Sequence, residues 1–147
     1  IHESGGVAVW AHPYERHMSV NEEAVRMCDL VEISNSRACF KNKRANDMAK
    51  DLAACLSMPR TGGSDAHRAS EVGNSFTELD CQVKSLDGIK SALLAGNTVS
   101  VHVRDTRRVN KGFSQLEKCR RKQVPLPRMI KAYIYIIYCL LSDLFKR

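Results

Sequence analysis

The chain has 147 residues, 44% of them hydrophobic and 27% charged, with a formal charge of +7 at neutral pH. That length and balance suffice for a domain with a true core and exclude a chain disordered throughout. The positive excess suits an anionic partner (phosphate ester, nucleotide, RNA or acidic lipid) without choosing among them, because long-range attraction needs no specific contact.

The chain starts at Ile1 with no basic-then-apolar leader, so no signal peptide is expected and the sequence reads as a piece of something longer. The first element, within "GGVAVWAHP", is an apolar run from Val7 to Ala11 that predicts a buried strand ending at Pro13. Trp10 belongs to its core side, and His12 sits at its carboxyl end. "SVNEEAVRMCDL" spaces Ser19 and Glu22 as a capping box ahead of Ala24, Val25, Met27 and Cys28. That predicts a short helix leading into a second strand, Leu30 to Ser34.

From Asn42 onward, Ala45, Met48, Ala49, Leu52, Ala53 and Leu56 recur at three- and four-residue steps, with Lys43, Arg44, Asp47, Lys50 and Asp51 opposite. This is an amphipathic helix, stopped by Pro59. "PRTGGSD" then predicts a short strand or turn that carries Asp65 to its carboxyl end. "NSFTEL" predicts another strand, "SLDGIKSALLAGN" a helix capped by Ser85 and closed by Gly96, and Thr98 to Val103 a last strand. The alternation of strand and helix argues for βα units in a largely parallel sheet or barrel. His12, Asp65 and His67 all fall where strands end and loops begin, the rim at which such folds gather function.

Past Val103 the pattern lapses into a charged, poorly periodic stretch, followed by "VPLPR" and "MIKAYIYIIYCLLSDLFKR". The basic residues concentrate here, so this tail is a candidate for nucleic-acid contact as well as a solvated face. The uncharged run from Ala132 to Ser142 is eleven residues, short of a membrane span, and a membrane is not expected as a partner. Tyr133, Ile137, Leu140, Leu141 and Leu144 share a helical face that is expected to pack on the domain; an interfacial helix flanked by Lys131, Lys146 and Arg147 is the second reading. The six cysteines (Cys28, Cys39, Cys55, Cys81, Cys119, Cys139) form no C-x-x-C pair and read as reduced cytoplasmic thiols, some of them buried as small apolar residues.

Together, "GGVAVWAHP", "VEISNSR", the helix bearing Asn46, Ala49, Leu52 and Ala53, and "GGSDAHRASEVGNSFTEL" resemble the second half of a PHP (polymerase and histidinol phosphatase) domain, from about Ile1 to Val101. The resemblance implies an α/β fold, part of a distorted seven-stranded (βα) barrel, over residues 1–103, with 104–147 as a basic linker and apolar helix. It also implies a cluster of two or three divalent metals that hydrolyses phosphate esters, including nucleoside 3′,5′-bisphosphates or RNA ends. His12 matches the histidine of the family's A-H-P motif, and Asp65 and His67 match its G-S-D-x-H motif; all three are metal ligands there. A carboxylate with imidazoles suits Mn, Fe or Zn better than Mg or Ca.

The family's first half also contributes an H-x-H pair and further acidic and histidine ligands, and this sequence holds no H-x-H. Three ligands cannot close the shells of two or three metals, so metal affinity and catalysis are expected to be poor in this chain alone. The alternative is a non-catalytic nucleic-acid-binding or interaction module derived from the same domain. Arg37, Arg68 and Asn35 are candidate contacts to substrate phosphate. Glu32 is expected to be structural, as are His2, His17 and His102.

Overall fold

The computed structural model describes residues 1–16, 18–79 and 82–145. The readings of His17 as structural, Cys81 as a thiol, and Lys146 and Arg147 as flanking cations lie outside the described residues, as does Asp80. The chain divides into two units, residues 1–65 with 72–105, and residues 66–71 with 106–147.

The first unit is built on β2 (Leu30–Asn35), which pairs in parallel with β1 (Val9–Trp10) on one side and β3 (Arg60–Gly63) on the other. Leu30 and Val31 are fully buried, as expected for a central parallel strand covered on its faces. The expected first strand shrinks to two residues because the Ala8 backbone is spent on the loop after α1 (Glu22–Arg26). Its N–H donates to Asp29 Oδ2 at 2.7 Å, and its carbonyl accepts the Asp29 N–H at 2.8 Å. That Asp29 carboxyl is held below its usual range, first by the Ala8 N–H and then by His2. The cap of α1 is Asn21, whose side chain accepts from the backbone of Glu23 and Ala24, rather than Ser19. Sitting directly before the first helical residue, Asn21 supplies an acceptor where the orphan N–H groups are.

Helix α2 (Ala45–Cys55) lays Ala45, Ala49, Leu52 and Ala53 against Val31 and Ile33, with Met48 at the edge. Small alanines on this face let the helix sit close to the sheet, and the charged side stays in solvent. The helix stops before Pro59, in a Schellman motif: Ser57 N–H donates to the Ala54 carbonyl at 3.2 Å and Met58 N–H to Ala53 at 2.9 Å. Ser57 takes the left-handed backbone there, φ 52°. Helix α3 (Leu86–Leu94) is capped by Ser85, whose hydroxyl accepts from Gly88, and closes through Gly96 at φ 73°.

Strands β4 (Ser75–Leu79) and β5 (Thr98–His102) form an antiparallel pair of their own, so the sheet is not wholly parallel and the described residues close no barrel. Hydroxyls join this pair to β2 and β3 in place of a backbone ladder. Thr77 Oγ1 accepts the Gly62 N–H at 2.8 Å and donates to its carbonyl at 2.9 Å, and Ser75 Oγ donates to the Ser34 carbonyl at 3.0 Å. Gly62 is required at this approach, since a Cβ would stand 2.6 Å from the Phe76 carbonyl oxygen.

In the second unit, the stretch read as irregular is a helix, α4 (Arg108–Arg121), antiparallel to α5 (Leu126–Leu144). Val109, Gly112, Leu116 and Cys119 face Ala132, Ile136 and Cys139 across the pair. Gly112 admits the crossing, because its Cβ would lie 3.1 Å from Ile136 Cα. Cys119 and Cys139 are thus packed as small apolar residues, whereas Cys55 is exposed. The stripe expected to pack, Tyr133, Ile137, Leu140, Leu141 and Leu144, is instead exposed, since α4 occupies the opposite side of α5. No helix among the described residues is long and apolar enough to cross a membrane.

Helix α4 has no local side-chain cap; Asp143 of α5 supplies one, accepting from the backbone N–H of Arg108 at 3.1 Å and Val109 at 3.0 Å. Asp143→Ala is expected to destabilise the helix pair by about 1 to 2 kcal/mol, the usual worth of a helix cap. Thermal unfolding followed by circular dichroism measures it, and an unchanged midpoint would show that water replaces the carboxylate without loss.

Candidate functional site

His12 follows β1 and Asp65 follows β3, so both stand at the carboxyl end of the parallel sheet, on either side of the end of β2. Both take left-handed backbone, with φ 33° at His12 and 49° at Asp65. Among the described residues Ser57 and Gln123 are the other non-glycines with positive φ, and each closes a helix C-terminus in a Schellman motif. His12 and Asp65 close no helix. A left-handed backbone costs on the order of 1 to 2 kcal/mol per residue, least for Asp, Asn and His, and such strain gathers at functional sites.

Glu32, on β2 between these two strand ends, organises the rim. Its Oε2 accepts the His12 backbone N–H at 2.7 Å and an N–H of Asn35 Nδ2 at 3.0 Å. Gly63 leaves room for it, because a Cβ there would run into Oε1. Burial pushes the Glu32 carboxyl above its ordinary range, and the charge of Asp65 adds to that, against the lowering by Asn35 and His12. The imidazole of His12 lies 3.7 Å from Glu15, measured from Nδ1 to Oε2, and Glu15 also draws Arg16 and Lys41. The role of Glu15 escapes the sequence reading; its position three residues after His12 was the available signal.

His67 belongs to the second unit. Its backbone N–H donates at 2.9 Å to Glu71, a fully buried carboxylate, while its own residue is exposed. Arg68, in the same unit, is paired with Glu117 at 2.6 Å and stacked over the Phe113 ring at 4.9 Å. Arg37 is buried with its guanidinium 5.7 Å from the Phe40 ring centroid. Asn35 is spent on the frame: its Oδ1 accepts from the backbone of Arg37 and Ala38, and its backbone exchanges two hydrogen bonds with the Asn46 side chain. His2 bonds Asp29 at 2.8 Å, and His102 lies 3.1 Å from Asp105.

Imidazole and carboxylate are the right donors for Mn, Fe or Zn. Among the described residues, however, no three His, Cys, Asp or Glu side chains form a group that could hold a metal ion. His12 and Asp65 therefore do not make a metal shell by themselves among the described residues.

Residues 43–98 match a family model described as PHP-associated. The match takes in α2, β3, Asp65 and His67 and ends at the start of β5; His12 lies outside it. Comparison with curated proteins and with solved structures gave no match.

Two measurements test the rim. Between the ordinary carboxyl value of 4.5 and its raised folded value, Glu32 holds a proton in the folded chain that the unfolded chain has lost. Its contribution to stability is therefore full below pH 4.5 and declines as pH rises through that window. Glu32→Gln keeps an oxygen for both donors and is expected to flatten that part of a urea-unfolding pH profile; an identical slope would remove Glu32 as its source. Asp65→Gly is expected to be about 1 kcal/mol more stable than Asp65→Ala, because both lose the carboxylate and only alanine still resists positive φ. Equal unfolding midpoints would show that the Asp65 backbone is not strained.

Proposed function

With the match of residues 43–98 to the PHP-associated family model as the premise, we propose that the chain is the C-terminal part of a PHP-type metal-dependent phosphoesterase. In this reading it supplies His12, Asp65 and His67 to a site whose remaining ligands come from residues outside this sequence. The open sheet is then part of the family's barrel, and the cytoplasm is its compartment. The observation that carries the reading is the left-handed backbone of His12 and Asp65, two ligand-type residues held at one sheet rim with no helix end to account for it.

The chemistry assigned is hydrolysis of a phosphate ester, with nucleoside 3′,5′-bisphosphates or RNA ends as the substrate class. Divalent metals, when bound by the complete site, would supply an activated water and neutralise phosphoryl charge. This chain's own contribution is positional. Glu32 holds the His12 backbone N–H and thereby the origin of the imidazole, while Gly63 keeps the Glu32 carboxylate seated. Arg68 could meet a substrate phosphate only by leaving Glu117 and Phe113, and Arg37 only by leaving its buried place beside Phe40.

The test measures Mn-dependent hydrolysis of a nucleoside 3′,5′-bisphosphate by the chain alone and mixed with a PHP N-terminal segment that bears an H-x-H pair. The chain alone is expected to be inactive and the mixture active, with Asp65→Ala or His12→Ala lowering turnover by at least about a hundredfold, as loss of a metal-site group does. An inactive mixture, together with salt-sensitive RNA binding that Asp65→Ala leaves intact, would replace the enzyme with the non-catalytic module.

A further inference from the structure

The face of α5 turned away from α4 is apolar along its whole length. Ile130, Ile134, Ile137, Tyr138, Leu141 and Leu144 are each about half exposed or more, and at the α-helical turn they span roughly 120° of the circumference. That is wider than the a/d seam of a two-helix coiled coil. Contiguous apolar surface of this kind marks a docking face, unlike apolar residues exposed singly.

The exposed charges of α5 among the described residues have one sign. Asp143 is the one acid of α5, and it is turned inward, 11% exposed, where it caps α4. Arg128 and Lys131 are exposed in the first turns of α5. At that same end the Arg120 guanidinium donates to the Tyr133 hydroxyl at 2.9 Å, which places another cation beside the apolar band. Arg107, 68% exposed, stands near Asp143 at the other end.

We propose that α5 lies in the interface of an anionic bilayer, its apolar band among the upper acyl segments and its flanking cations on the lipid headgroups. A helix lying on a membrane needs this combination of a broad apolar face and a cationic border, whereas a spanning helix would have to carry Arg128 and Lys131 inward. A second copy of the chain fits the face less well. Pairing two such bands sets the Arg128 and Lys131 end against its own kind, or against Arg107, whose neighbouring acid Asp143 is turned inward to cap α4, and like charges across an interface are costly. Membrane attachment and phosphoester chemistry use different residues, so either can fail alone.

Flotation of the whole chain with vesicles of phosphatidylcholine alone, and of phosphatidylcholine with phosphatidylserine, tests this. Binding is expected to the anionic vesicles, to weaken several-fold as salt is raised, and to fall at least about tenfold in Ile134→Asp/Ile137→Asp. Both positions are exposed, so circular dichroism of the variant should match the wild type; if it does not, Tyr138→Ser with Lys131→Ala serves as the second variant, with the same loss expected. No binding to anionic vesicles, or equal binding to both kinds, overturns the proposal. So does a dimer in light scattering that Ile134→Asp/Ile137→Asp dissociates while vesicle binding is absent, which would assign the face to a second copy.

Discussion

A half-buried carboxylate on the central parallel strand ties three strands together in this protein. Glu32 accepts from the His12 backbone after β1, accepts from Asn35 at the end of its own strand, and rests in the space that Gly63 leaves on β3. Burying a carboxylate is costly unless hydrogen bonds take up its lone pairs. Here two donors do so, and the price is visible in a carboxyl group whose proton is held more tightly than usual. The left-handed turn at His12 follows from the same constraint, because the backbone must present its N–H to Glu32 as the chain leaves a strand of two residues.

The rest of the first unit can be understood as support for that rim. Helix α2 covers the strands with alanines and leucines, and its Asn46 side chain pairs with both backbone groups of Asn35. That leaves the Asn35 amide for Glu32 and its carbonyl oxygen for the turn at Arg37 and Ala38. An asparagine that looks like a candidate for substrate contact is thereby a fixed part of the frame. Toward β4 and β5, serine and threonine hydroxyls take over from the backbone ladder, joining that antiparallel pair to β2 and β3.

The second unit follows a different rule. The pairing of α4 with α5 rests on small residues at the crossing, Gly112, Cys119, Ala132 and Cys139, and on one carboxylate that caps the neighbouring helix. With its inner side filled by α4, α5 keeps its larger apolar side chains outward. Position on the helix, rather than hydrophobicity, decides which of them are buried.

Local chemistry made much of the fold legible in the amino-acid sequence. The period of α2, the Ser85 cap, the closing Gly96 and the apolar run of β2 all act over a few residues, and all lie where the residue pattern puts them. The D-x-H and A-H-P stretches also stand out as patterns, and His12 and Asp65 from them lie at one rim of the parallel sheet. What depended on distant partners was not legible. The Ala8 backbone bonds a residue twenty-one positions on and so ends β1 early; α4 hides because half its buried seam is Gly and Cys; and its cap comes from thirty-five residues away. The sequence by itself determined the elements whose caps and periodicity act over a few residues, such as α2, α3 and β2. Only the tertiary structure decided that Glu32 would govern His12, that no three ligands would meet among the described residues, and that α5 would turn its widest apolar face to solvent. Each of those outcomes depends on which surfaces meet, and no local preference of the chain encodes that.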